Sequence, residues 1–141
     1  MLLATRGGMV CSYDRADGAQ QWCLPVAGVA DRRPTLIAAG DDLIVATRSS
    51  VVAIDADAGT LVWEKRADTP IVTVDGDADT VVLGDTAGTV RALEPASGRQ
   101  RWQLALEGQP DLTSLAVADD AVYAGTRDGA VLRVRPADTA P

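Results

Sequence analysis

Apolar residues fall along this chain in short bursts. Leu43-Ile44-Val45-Ala46-Thr47, Val51-Val52-Ala53-Ile54, Val81-Val82-Leu83 and Ala121-Val122-Tyr123-Ala124 are rich in β-branched side chains and bounded by Gly, Asp or Ser. Such runs predict β-strands, because branched side chains suit a pleated surface and lose rotamer freedom in a helix. No burst reaches the roughly 10–12 residues at a 3.6-residue period that a helix needs. Polar clusters separate the bursts. Asp41-Asp42, Asp75-Gly76-Asp77-Ala78-Asp79 and Asp119-Asp120 hold one set of equivalent places, and Gly7-Gly8, Ser49-Ser50, Ala87-Gly88 and Asp128-Gly129 hold the next. These read as hairpin turns, in which an Asp carboxylate accepts from nearby amides and Gly supplies positive φ.

The bursts recur with a period of about forty residues. Three segments fit one template: Ser12-Tyr13-Asp14-Arg15-Ala16-Asp17-Gly18-Ala19-Gln20-Gln21-Trp22, Ala53-Ile54-Asp55-Ala56-Asp57-Ala58-Gly59-Thr60-Leu61-Val62-Trp63 and Ala92-Leu93-Glu94-Pro95-Ala96-Ser97-Gly98-Arg99-Gln100-Arg101-Trp102. Each reads small, apolar, acidic, three residues, Gly, three residues, Trp. A fourth copy starts at Gly129-Ala130-Val131-Leu132-Arg133-Val134-Arg135-Pro136, and Pro141 comes before its Trp position. The repeating unit is four short antiparallel strands, a to d from the inside outward. The second unit places them near 35–39, 43–47, 51–55 and 61–66, and the third near 71–74, 80–84, 89–93 and 100–106. The first unit supplies b, c and d, and the last supplies a, b and c, which predicts fourteen strands.

Four-stranded units of this length are propeller blades. The Ala-x-Asp-x-x-x-Gly-x-x-x-Trp pattern resembles the tryptophan-docking motif of the PQQ-like, or quinoprotein, β-propeller repeat family. No Trp-Asp dipeptide of the WD40 type and no Asp-box occurs. The resemblance implies an all-β partial β-propeller of about three and a half blades over 1–141, with a partial blade at 1–26, blades at 34–67 and 70–106 and a partial blade at 112–136. It also implies inter-blade docking by Trp22, Trp63 and Trp102, with Gly18, Gly59 and Gly98 as the motif glycines and Ser12, Ala53 and Ala92 as the small residues beneath the rings. On that scheme Trp22 packs on Ser12 and near Gly59, and Trp63 on Ala53 and near Gly98. The next position for Trp102 is Thr139 rather than Gly, and Arg133 stands where the fourth small residue belongs.

Composition narrows the chemistry. The 141 residues are 47% hydrophobic and 23% charged, which excludes a disordered tail. A net charge of −7 argues against wholesale binding to nucleic acid or an anionic membrane. There is no His, so no imidazole triad or imidazole metal site can form within the chain. No window is long and apolar enough for a membrane helix, and the first residues lack a basic segment followed by an apolar one. The expectation is therefore cytoplasmic as written, and periplasmic or extracellular for a piece of a longer precursor. Cys11 and Cys23 flank a hairpin. If its turn centres on Asp17 they face each other, either as a cross-strand bridge or as two half-buried thiols.

The resemblance brings an enzyme reading with it. Quinoprotein dehydrogenases hold the quinone in the channel of an eight-bladed ring, with calcium on acidic and Asn side chains and, in many, a disulfide between adjacent cysteines. This chain has no Asn and no adjacent cysteines. The expectation is thus no catalytic, cofactor-binding or metal residues and no cofactor, the alternative being a fragment of a PQQ-dependent dehydrogenase. Asp75, Asp77 and Asp79 imitate the start of a calcium loop, but the Gly is misplaced and Thr86 stands where a bidentate Glu is needed. Asp14, Asp55 and Glu94 recur once per period, as turn-capping residues do. Arg32-Arg33 and the set Arg127, Arg133 and Arg135 read as solvated edge charges or as a local anion or partner contact. An open arc leaves two blade faces in water. Either the chain is part of a larger propeller, or two copies close head-to-tail as a homodimeric eight-bladed ring with three-stranded end blades. Outer-membrane assembly factors and sensor portions of bacterial kinases use such propellers, so the expected function is a scaffold or binding module for protein–protein interaction or self-assembly. The remaining reading is a decayed gene product with no folded role.

Overall fold

The structure, a computed structural model, describes residues 2–4, 8–26, 34–106, 108, 110–118 and 121–134. Fourteen strands lie among the described residues, in four antiparallel sheets. The first sheet holds β1 (Leu2–Ala4), β2 (Met9–Tyr13) and β3 (Gln20–Pro25). The second holds β4 (Thr35–Ala39), β5 (Asp42–Ala46), β6 (Ser50–Asp55) and β7 (Leu61–Arg66). The third holds β8 (Ile71–Gly76), β9 (Val81–Asp85), β10 (Thr89–Leu93) and β11 (Gln100–Ala105). The fourth holds β12 (Leu112–Ala118), β13 (Ala121–Thr126) and β14 (Val131–Val134). Strand order within each sheet follows the chain, so every sheet is a meander and each connection to the next starts a new blade. The fold is all-β, a partial propeller.

The core consists of three apolar seams, one between each successive pair of sheets. Alternate residues of a strand face opposite sides, and in the second sheet both sides are covered. Leu43, Val45, Val52 and Ile54 meet Val10, Val26, Trp22 and Leu24 of the first sheet. Ile44, Ala46, Val51 and Ala53 meet Ile71, Val81, Leu83 and Leu93 of the third. The seam between the third and fourth sheets joins Val82, Val90 and Ala92 to Leu112, Leu115, Val122 and Ala124. Two-sided burial explains why β5, β6 and β9 read as continuous apolar runs rather than alternating ones. Main-chain and side-chain bonds also cross the seams: the Ile71 amide donates to the Arg48 carbonyl at 2.8 Å, and the Val117 amide to Asp75 Oδ2 at 2.8 Å.

The boundaries shift from the sequence reading by a residue or two, for a local reason. Thr47 leaves β5 and turns inward, where its Oγ1 accepts from the Ser50 amide at 3.1 Å. Asp85 and Thr126 hold the same place in the next two sheets, accepting from the Ala87 and Thr89 amides and from the Ala130 amide. All three side chains are buried. Each satisfies amides at the turn between the second and third strands, so burial of the polar atom is compensated. Asp85 additionally meets Arg91 at 3.6 Å. At the opposite end, Asp77 Oδ1 accepts from the Asp79 and Thr80 amides and closes the β8–β9 hairpin. Gly7 and Asp119-Asp120 lie outside the described residues.

Asp42 opens β5 directly opposite Asp55. Burial, and then the charges of Asp55 and Asp41, push its carboxyl above the ordinary carboxylate range. The ionised form is thus penalised in the folded state, and the penalty vanishes as pH falls through the raised pKa. Asp42→Asn is expected to stabilise the protein at neutral pH by about 0.2–1 kcal/mol, the scale of a cross-strand charge pair. Denaturant melts should show this gain shrinking towards zero in acid.

Candidate docking site between the sheets

Each motif acid begins a six-residue turn closed by the same two main-chain bonds. The Gly18, Gly59 and Gly98 amides donate to the carbonyls of Asp14, Asp55 and Glu94, four residues back. The Asp14, Asp55 and Glu94 amides donate to the carbonyls of Ala19, Thr60 and Arg99. The Asp14 and Asp55 carboxylates accept from the Ala16 amide and from the Asp57 and Ala58 amides. Asp14 and Asp55 therefore act as turn caps here. The glycines have φ of 73°, 71° and 75°, the left-handed region that side chains with a Cβ disfavour.

Two of these glycines lie under an indole of the preceding sheet. A Cβ on Gly59 would stand 2.6 Å from Trp22 Cδ2, and one on Gly98 would stand 2.7 Å from Trp63 Cδ2. Trp22 Nε1 donates to the Ala56 carbonyl at 2.9 Å, and Trp63 Nε1 to the Pro95 carbonyl at 2.7 Å. Both acceptors directly follow the motif acid of the next sheet. Within its own sheet each ring residue pairs with the small residue: Ser12 with Trp22, Ala53 with Trp63, Ala92 with Trp102. Trp102 packs on the seam containing Ala92 and Leu112. Its next-sheet position, Thr139, lies outside the described residues, as do Arg32, Arg33 and Arg135.

The sequence reading lacked two parts of this arrangement. The indole acceptor is a main-chain carbonyl, invisible to residue type. A bulge also interrupts the pairing just after each small residue, between Ser12 and Tyr13, Ala53 and Ile54, and Ala92 and Leu93. The unpaired residues are Gln21, Val62 and Arg101, immediately before each Trp. A bulge bends the strand and re-aims the following side chain, here across the seam. The acid-to-Trp spacing of eight residues was the available signal, since an uninterrupted hairpin with a turn of this length would put the ring one residue out of register.

Gly18 differs from its two counterparts. Its φ and its turn are the same, but among the described residues no atom lies within 4 Å of its Cβ position. The side of the first sheet that faces away from the second carries Cys11, Tyr13 and Cys23. Cys11 and Cys23 are directly paired, with Cα atoms 4.1 Å apart, and are joined by a disulfide. At the other end, the side of the fourth sheet that faces away from the third carries Tyr123, Val131 and Arg133, with Val131 74% exposed. The Arg133 guanidinium lies over the Tyr123 ring, 5.9 Å from its centre. Between the second and third sheets, near Asp85 and Arg91, a crevice of about 20 Å³ is big enough for one water. Among the described residues no group of three or more His, Cys, Asp or Glu is placed to hold a metal ion. Among them, too, no helix is long and apolar enough to cross a membrane.

Loss of the middle ring should cost most, because Trp63 lies between two four-stranded sheets. Trp63→Ala is expected to lower unfolding free energy by about 3–5 kcal/mol, more than Trp22→Ala or Trp102→Ala. Equal melting temperatures for Trp63→Ala and wild type would refute this packing. Gly98→Ala and Gly18→Ala share the cost of a Cβ at positive φ, and only the first also meets a ring, so Gly98→Ala should melt at the lower temperature. Thiol titration of the unfolded protein should find none before reduction and two per chain after it.

The family model described as outer membrane protein assembly factor BamB matches residues 5–140. The serine/threonine-protein kinase AfsK of Streptomyces griseus is 28% identical over 126 residues, or 82% of this chain and 16% of the kinase. BamB from Moraxella catarrhalis superposes with a TM-score of 0.76 at 24% identity, over 97% of this chain and 43% of that one. The computationally designed Ika4 protein superposes at 0.78 with 17% identity, over 95% of this chain and 83% of that one. For the designed Ika8 protein the TM-score is 0.80 at 17% identity, over 95% of this chain and 42% of that one. At these identities the structural likenesses bear on fold alone. The chain spans less than half of the Moraxella and Ika8 chains and a smaller share of the kinase. The repeated motif, the four-sheet fold and a family match along nearly the whole chain agree: this protein belongs to the PQQ-like repeat family of outer membrane protein assembly factor BamB.

Proposed function

We propose that this protein is a non-catalytic propeller scaffold, a half ring that assembles with a second copy and presents its turns to a protein partner. The observation that carries the reading is the pair of end sheets. Between inner sheets every such face is covered, as the three seams demonstrate. No described sheet lies against the outward faces of the first and fourth sheets, and on the fourth Tyr123 and Val131 are exposed. Exposed apolar faces of this kind mark association surfaces. Coverage of 43% and 42% of two longer propeller chains also suits a body that needs roughly its own size again to complete a ring. Docking by Trp22, Trp63 and Trp102 is then the means by which each chain holds its own blades in sequence.

A protein partner is favoured over a small-molecule substrate by the kind of surface available. The turns at one end of the sheets display Asp14, Asp17, Asp41, Asp55 and Asp57, and the carboxylates of Asp14, Asp17 and Asp55 accept from amides of their own turns. The name of the matched family, an assembly factor, accords with a module that works by holding other proteins. The Cys11–Cys23 bridge supports an oxidising compartment, periplasmic or extracellular, where such bonds persist.

Light scattering tests the assembly. A cooperatively melting sample is expected at 29.2 kDa, twice the 14.6 kDa of one chain. A folded species of 14.6 kDa would contradict the half-ring reading.

A further inference from the structure

The seam between the second and third sheets is not filled along its whole length. A cavity of about 200 Å³ opens between their inner strands, at the end where the second-to-third strand turns lie. Thr35 of β4, Ala46 and Arg48 at the end of β5, and Ile71 and Val72 of β8 line it. The corresponding place in the next seam is closed. Thr73 pairs with Gly84 as Thr35 pairs with Ala46, and Leu112 opens β12 as Ile71 opens β8. There a Cβ on Gly84 would stand 2.9 Å from Leu112 Cδ1 and 2.9 Å from Thr73 Cγ2. With Ala46 and Ile71 in those positions the space stays open.

One part of the lining is apolar. Ala46 and Ile71 are buried in the seam. Val72 is the residue that the β8 bulge leaves unpaired, and it is 39% exposed. The matching bulge in β12 leaves Thr113 unpaired, and its Oγ1 donates to the Gly125 carbonyl. Another part of the lining is polar and holds donors. The Arg48 carbonyl is used by the fold, accepting from the Ile71 amide at 2.8 Å. Its exposed guanidinium has no hydrogen bond or ion pair to a described residue, and neither has the Thr35 hydroxyl. Thr47 also lines the cavity, but its hydroxyl is taken by Ser50. No acid lines the cavity among the described residues.

We propose that this cavity binds a short-chain aliphatic carboxylate, with the carboxylate on Arg48 and Thr35 and the hydrocarbon against Val72 and Ile71. A guanidinium takes a carboxylate through two parallel N–H···O bonds, and a hydroxyl can add a third donor. Phosphate would satisfy the cation equally but has nothing apolar to lay on Val72. At about 30 Å³ for each water-sized group, the volume admits roughly six or seven non-hydrogen atoms. The described lining offers no carboxylate, thiol or imidazole to act as a base, so the acid is a ligand and not a substrate. Such a site gives the scaffold a small-molecule input in addition to its protein partner. It lies within one chain and does not depend on the half ring.

Isovalerate matches the cavity in size and is the probe. Titration followed by amide resonances should give saturable shifts at Arg48 and Val72, with half-saturation in the millimolar range. Isovaleramide, which has the same shape without the charge, and inorganic phosphate, which has charge without hydrocarbon, should each bind roughly tenfold more weakly or worse. Arg48→Gln should weaken isovalerate by roughly tenfold or more, and Val72→Ser by roughly fivefold. Both positions are exposed, so both variants should keep the strand circular dichroism and cooperative melt of wild type. No saturable shift with isovalerate, equal binding of the amide or of phosphate, or unchanged affinity in Arg48→Gln would overturn the site. Light scattering on the same samples reads the half ring separately, so failure of one leaves the other standing.

Discussion

An indole cannot approach this closely to a backbone that carries a Cβ. The rest of this structure is arranged around that constraint. Trp22 over Gly59 and Trp63 over Gly98 require glycine for two independent reasons: the φ is positive, and the space is filled by the ring. The required φ comes from a turn in which the acid's carbonyl accepts from the glycine amide, with Asp55 Oδ1 capping amides in one turn and Ser97 Oγ the Arg99 amide in the other. The same turn aims the carbonyl of Ala56 or Pro95 at the indole N–H. Acid, glycine and ring are thus one device distributed over two sheets. Altering Asp55 leaves amide donors unpaired, a Cβ at either glycine meets a ring, and removing either ring leaves a carbonyl acceptor unpaired.

Sheets that bury both faces need little else in their middles. Leu43 to Ala46 and Val51 to Ile54 send alternate residues into different seams, so one strand contributes to two cores. Among the described residues most buried polar side chains therefore lie at the strand ends, and the turn chemistry is unevenly shared between them. The first-to-second and third-to-fourth strand turns lie at one end and depend on Asp caps at 14, 55 and 77. The second-to-third turns lie at the other end and use the buried Thr47, Asp85 and Thr126. Part of the net charge of −7 is consequently a by-product of turn chemistry gathered along one rim.

The fold was legible because its signals are local and repeated. Branched runs of four or five residues, Asp and Gly between them and Trp at a forty-residue period identify strands, turns and blade order without any long-range knowledge. The parts that escaped are those in which residue type does not report the interaction. Thr47 reads as the end of a strand and Asp85 as the residue after one, and only the turn's inward fold makes them buried caps. Gln21, Val62 and Arg101 share no chemistry, yet each is the extra residue of a bulge, because what matters there is pairing register. Asp75 resembles a turn residue and instead accepts a bond from Val117 in the next sheet. For Cys11 and Cys23 the spacing allowed two outcomes. The bridge followed from their being opposite within a hairpin whose bulge begins one pair further on.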